Sequence, residues 1–207
     1  NDAYVEAQGG SVLMAAGTQT TGNDIRYAAS DDVALGLLAA TDSVSVVAGA
    51  DAGDDITDAD SDENANLSGA RARLSAGGNI GGGDGSASDT NVAAVDIAAN
   101  NVEGVAGTDI YLQSSQAVTV GGVGDVTTDF ERFASGDTTT TDLNLSGLAG
   151  TAGVVKLKSA DTITVDETVA AGTDALLLTT AGDIIQNAAI TGTGGNVSGI
   201  AAGSVNQ

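Results

Sequence analysis

Short apolar runs recur along the whole chain, most of them alternating with polar residues and separated by Gly, Asn, Asp or Ser. They include "YVEA" (4–7), "SVLMAA" (11–16), "DIRYAA" (24–29), "SVSVVA" (43–48), "RARLSA" (71–76), "VAAVDIAA" (92–99), "DIYLQS" (109–114), "AVTVGGV" (117–123), "DLNLSGL" (142–148) and "VVKLKSA" (154–160). Alternation with a period of two puts one set of side chains on one face, which predicts short half-buried strands joined by turns. No apolar stripe of helical period runs for a useful length. "DDVALGLLAA" (31–40) has the strongest helical look, but Gly36 and the flanking strand patterns favour strand, turn, strand.

The runs repeat. Ala160, Ala181 and Ala202 are 21 apart, and so are Ile163, Ile184 and Val205; Leu157 and Leu178 share the offset. Self-similarity at about 20 residues with short strands is the mark of a solenoid. A coil of that length holds two or three strands, and stacking coils in register puts Ile on Ile and Ala on Ala. This predicts an all-β parallel β-helix, a β-solenoid, with those eight residues in core columns. At about 4.8 Å per coil, roughly ten coils make a rod about 50 Å long. A small phrase marks the turns: Gly or Ser, then Asp or Asn, then Ile or Val, as in "GNDI" (22–25), "SDDV" (30–33), "GDDI" (53–56) and "GTDI" (107–110). Gly, Asn and Asp tolerate tight backbone, and the β-branched residue opens the next strand. Residues 1–207 read as one solenoid segment, with Asp- and Gly-rich loop insertions near 49–66 and 121–141.

Three stretches carry a family resemblance: "GNDIRYAASDDVALGLLAATDSVSVVAGADAGDDITDADSDENANLSGARARLSAGGNIGGGDG", "VAGTDIYLQSSQAVTVGGV" and "TAGDIIQNAAITGTGGNVSGIAAGSVNQ". In phrase style and repeat grammar the chain resembles the giant repetitive exported proteins of Gram-negative bacteria, the filamentous-haemagglutinin-like chains. The resemblance implies a right-handed β-helix, an extracellular or bacterial-surface location, and a role as adhesin or surface fibre. It carries over no active-site residue.

Composition sharpens this picture. Pro is absent, which suits a fold whose backbone N–H groups sit in ladders. The net charge of −22 with only six basic residues argues against nucleic acid and anionic membrane surfaces as partners. No apolar stretch approaches membrane-spanning length, so membrane insertion is not expected. His and Cys are absent and aromatics are 2%, which removes the usual acid–base and thiol chemistry and the stacking platforms of sugar-cleaving clefts. The expectation is a protein that is not an enzyme and has no cofactor.

Several residues stand out as candidate sites. Asp58, Asp60 and Asp62 imitate the opening of a calcium loop, but Glu63 stands where such a loop needs Gly, and Gly69 where it needs Glu. A solvated loop is the leading reading there, with a weak Ca2+ site behind it. "DFERFAS" (129–135) gathers Phe130, Arg132 and Phe133 outside the repeat grammar. It reads as a lateral insertion packed on the rod, or as a contact patch for a partner. Asn66, Asn144 and Asn196 match the N-glycan acceptor pattern, as expected by chance in such repeats. Neither terminus looks capped, which predicts contact with other copies end to end. If a second copy followed Gln207 directly, Ala202 would register with its Ala16 and Gly199 with its Leu13. A structural fibre unit is therefore the leading functional expectation. An adhesin segment that grips a cell surface or glycan through its side loops is the alternative.

Overall fold

A computed structural model describes residues 1–60, 64–83, 91–133 and 136–207. Among them there is no helix; the chain is built of strands, 18 of which belong to one hydrogen-bonded sheet system. Strands Val12–Leu13, Val33–Leu35 and Ile56–Asp58 form a smaller sheet. Among the described residues every pairing between strands is parallel except one hairpin. Parallel strands cannot be joined by tight hairpins, so each connection travels around the molecule before the chain returns beside itself. The arrangement is compatible with a β-solenoid.

The register sorts inward side chains into columns. One runs Val5, Tyr27, Val46, Leu74, Gly104, Leu148, Val169, Ile190. A second runs Val12, Val33, Ile56, Ile80, Ile110, Val155, Ala175, Val197. Their middle members have almost no exposure and belong to one continuous hydrophobic core. Each such aliphatic side chain contributes about 1.5–3 kcal/mol by burial, which is how a chain nearly free of aromatics builds a core. A third column changes chemistry part-way: Thr20, Leu38, Leu67 and Ile97 are followed by Ser114, Ser159 and Thr179. The buried hydroxyls do not go unpaired. Ser114 and Ser159 donate to the carbonyl of Gln116, and Thr179 donates to that of Gly182, so the column closes its own corner.

The Asp/Asn phrase of the sequence has a structural meaning. Asp32 Oδ1 accepts the backbone N–H of Asp55 at 3.0 Å, and Asp55 Oδ1 that of Asn79 at 2.6 Å. Asn79 Oδ1 accepts from Asp109 N at 3.2 Å, Asp109 Oδ1 from Val154 N at 2.8 Å, and Asp174 Oδ1 from Asn196 N at 2.7 Å. Each residue sits just before an inward β-branched residue or Ala and satisfies a corner donor one rung on. Such donors would otherwise be left over where a strand bends out of its ladder. The 31–40 stretch is strand, break, strand: Val33–Leu35 and Leu37–Ala40 flank Gly36. A Cβ at Gly36 would lie 2.5 Å from the Thr18 carbonyl oxygen, so only Gly lets the neighbouring rung come this close.

Residues 49–66 are only partly a loop. Strand Ile56–Asp58 takes its place in the ladder on Val33–Leu35, with Ile56 fully buried. Around it, Asp55 serves a corner while Asp54, Asp58 and Asp60 accept from nearby loop groups, and this run of carboxylates conceals the rung in the sequence. Within 121–141, strands Val126–Arg132 and Gly136–Asp142 do leave the ladder.

Candidate functional site: an arm across the rungs

The antiparallel element is a hairpin of Val126–Arg132 paired with Gly136–Asp142. It does not extend the sheet. It lies across an outward-facing column of register partners: Tyr4, Arg26, Ser45, Arg73 and Glu103, one from each of five successive rungs. At the base, Glu103 is fully buried and its two carboxylate oxygens accept from Val123 N at 2.9 Å and Leu145 N at 2.6 Å. Arg71 donates to the Val123 carbonyl at 2.9 Å while paired with Asp42 at 2.7 Å. Arg73 Nε donates to the Leu143 carbonyl at 2.7 Å.

Midway, Asp142 forms a two-pronged pair with Arg26, at 2.8 and 3.2 Å, and accepts from Ser45 Oγ at 2.7 Å. At the far end, Asp129 N donates to Asp2 at 2.9 Å, and Phe130 stacks on Tyr4 with centroids 3.8 Å apart and planes 10° from parallel. The guanidinium of Arg26 lies 5.3 Å from the Tyr4 ring and that of Arg132 lies 5.1 Å from the Phe130 ring. Cation–π contact and ring stacking each contribute about 0.5–1.5 kcal/mol.

The electrostatic logic is simple. Arg26, Arg71, Arg73 and Arg132 are four of the chain's six cations, and all belong to the arm or its seat. The arm and its flanks carry Asp125, Asp129, Glu131, Asp137 and Asp142. An acidic rod thus keeps one cationic strip, and an acidic arm covers it. The fit is not fully satisfied: Arg73 Nη1 and Thr128 Oγ1 are buried without a partner. Burial lowers the Arg73 pKa from its ordinary value, with Asp142 the strongest influence holding it up. Burial and a hydrogen bond to Glu6 raise the Tyr4 phenol above its usual value.

The sequence-derived candidates fall in distinct places. Phe130 packs on the rod, Arg132 is exposed beyond it, and Phe133 is fully exposed. Ile163, Ile184 and Val205 are register partners, with Ile163 and Ile184 buried. Two expected columns are corrected. Leu157 pairs with Leu177; Leu178 is buried as expected but has the opposite parity, beside Lys158. The Val155 and Ala175 rungs are 20 residues apart, so a constant offset of 21 slips by one. Ala160, Ala181 and Ala202 are exposed at corners, because they follow the strands and Ala is tolerated on either side.

Asp62 lies outside the described residues. Asp58 Oδ1 accepts from Asn66 Nδ2 at 2.8 Å and Asp60 N at 2.9 Å, and both Asp60 oxygens accept from Gly17 N. Among the described residues no group of three or more carboxylates is placed to hold a metal ion. Asn66 is 2% exposed and joins three partners: Asp58, the Leu35 carbonyl and Asp96 N. The arm was half visible in the sequence, as an aromatic and charged interruption of the repeat. Its seat was not, because the matching residues lie up to 127 positions away.

No family model matches the chain, and neither the curated proteins nor the solved structures contain a match.

Proposed function

We propose that this chain is a structural segment of an extracellular bacterial fibre: a right-handed parallel β-helix that assembles end to end with other copies by adding rung on rung. The observation that carries the reading is the unbroken parallel register. The column from Val12 to Val197 has eight rungs, which suggests about eight windings rather than ten, or roughly 40 Å of rod at sheet spacing. Right-handedness follows from the strong preference of parallel strand crossovers for that hand. At the last rungs the columns reach Val197, Ile200 and Val205, about half exposed. Apolar side chains beside open backbone donors and acceptors favour another rung on top. The surface location rests on the resemblance to filamentous-haemagglutinin-like chains.

Sedimentation and negative-stain imaging over a concentration series test the proposal. Rods that lengthen with concentration in steps of one subunit support it; particles of one subunit length at every concentration defeat it. The second reading is an adhesin, favoured by the fully exposed Phe133 on the arm. It calls for dispersed monomers that bind cells or glycans and lose binding in Phe133→Ser.

A further inference from the structure

The arm is longer than its seat. Asp129 and Phe130 already touch Asp2 and Tyr4 on the first rung, and the strand continues through Glu131 to Arg132, with Phe133 next in the turn. Three residues at about 3.3 Å each carry the tip roughly 10 Å further, or about two rung spacings. Among the described residues, the Arg132 guanidinium meets a ring but no carboxylate within ion-pair distance, and Phe133 meets solvent.

We infer that the tip is a clasp for a second copy of this chain: Arg132 and Phe133 reach over the joint and seat on the outward face of that copy's last rungs. This rests on the end-to-end reading above. The outward column under the arm lies one residue ahead of the inward column that ends Leu148, Val169, Ile190. On the last rungs it therefore passes Thr168 and Ala189. Beside them stands Asp166, which is exposed. The Arg, Ser and Glu side chains that fill the seat elsewhere give way here to the exposed Thr168 and Ala189, small side chains that leave room for the Phe133 ring. Asp166 offers the carboxylate that Arg132 lacks; its Oδ1 is held by Asn187 Nδ2 at 2.7 Å. In stacked copies these rungs come about 5 and 10 Å beyond Tyr4, the span that the tip covers.

The test is sedimentation velocity on the whole chain, with thermal melts of the dilute protein as a folding control. Arg132→Glu, Phe133→Ser and Asp166→Arg each alter exposed side chains; the first gives up the contact with Phe130 and the last the bond from Asn187, so melting shifts by no more than a few degrees. Each single change weakens association about tenfold or more, the loss expected for one good charged or aromatic interface contact. The double variant Arg132→Glu with Asp166→Arg associates again near the parent level. Three results overturn the clasp. If the parent associates and all three variants match it, stacking stands without the clasp. If Arg132→Glu weakens association but Asp166→Arg fails to restore it, the tip's seat is elsewhere. If the parent stays monomeric at all concentrations, stacking and clasp fall together.

Discussion

Replacing Asp142 with Ala removes the central fastening of the arm. Its carboxylate is 11% exposed, holds Arg26, itself 12% exposed, in two contacts, and accepts from Ser45. It is also the strongest influence keeping the buried Arg73 charged. With the arm still seated, the variant would leave a desolvated guanidinium without its counter-charge, a loss of about 3–5 kcal/mol. The remaining fastenings include the Phe130–Tyr4 stack, about 0.5–1.5 kcal/mol, the two bonds to Glu103, about 1.5–3 kcal/mol each, and the bonds of Arg71 to Val123, Arg73 to Leu143 and Asp129 to Asp2. Ordering the hairpin opposes them. Lifting the arm rehydrates Arg26 and Arg73, so opening becomes easier by about the same 3–5 kcal/mol.

Native-state hydrogen exchange by mass spectrometry reads this directly. Peptides covering 126–142 should exchange between about a hundredfold and a few thousandfold faster, the equivalent of 3–5 kcal/mol at 1.4 kcal/mol per tenfold. Peptides covering Ile163 and Ile184 should be unchanged. Unaltered exchange in the arm would refute charge as its fastening, and equal loss across the rod would refute its independence.

Ile184→Asp places a carboxylate between Ile163 and Val205 at a position 1% exposed; it should cost about 4 kcal/mol or more and fray the last rungs, seen as a lowered melt and early proteolysis there. A variant that melts like the parent would mean that Ile184 does not face the core. Asn66→Ala removes a buried node with three partners and should cost about 2–4 kcal/mol in urea unfolding; a loss under 0.5 kcal/mol would contradict it. The Tyr4 and Tyr111 phenols both have raised pKa values, chiefly from burial. A group raised in the folded state stabilises fully below its unfolded value, here 10.0, and loses that contribution as pH rises through the folded value. Stability should therefore fall above about pH 10, and Tyr4→Phe should lessen the fall; ultraviolet titration in which both tyrosines ionise at the free value would refute it.

The repeat was legible because strand residues recur in kind and turn residues recur in chemistry. Ile163 over Ile184 over Val205 could be read from spacing alone. The 157–178 pairing could not, because corners differ in length by single residues and one slip reverses the face of every side chain. The Ala column misled because Ala carries too little surface to choose a side. Ile56 was hidden among carboxylates that belong to a corner and its loop. At the candidate site, the sequence marked Phe130, Arg132 and Phe133 as foreign to the repeat. It also gave away the scarcity of cations, three of which proved to share the strip under the arm, with Arg132 on the arm itself. What no local pattern revealed was that Asp142 meets Arg26, since a cross-rung contact follows from how many rungs intervene.

The most direct test of the in-register rungs is a disulfide between outward register partners in a chain that has no Cys of its own. Thr164 and Ile185 lie opposite one another in adjacent rungs. At a spacing of about 4.8 Å their α-carbons fall within the range of about 4.4–6.8 Å that a disulfide spans. In the Thr164→Cys, Ile185→Cys protein, mild oxidation should close the bond nearly completely within the monomer, while Thr164→Cys with Gln186→Cys, one residue out of register, should stay reduced. Failure of the first pair to close, or equal closure of the second, would contradict the stacked rungs on which everything else depends.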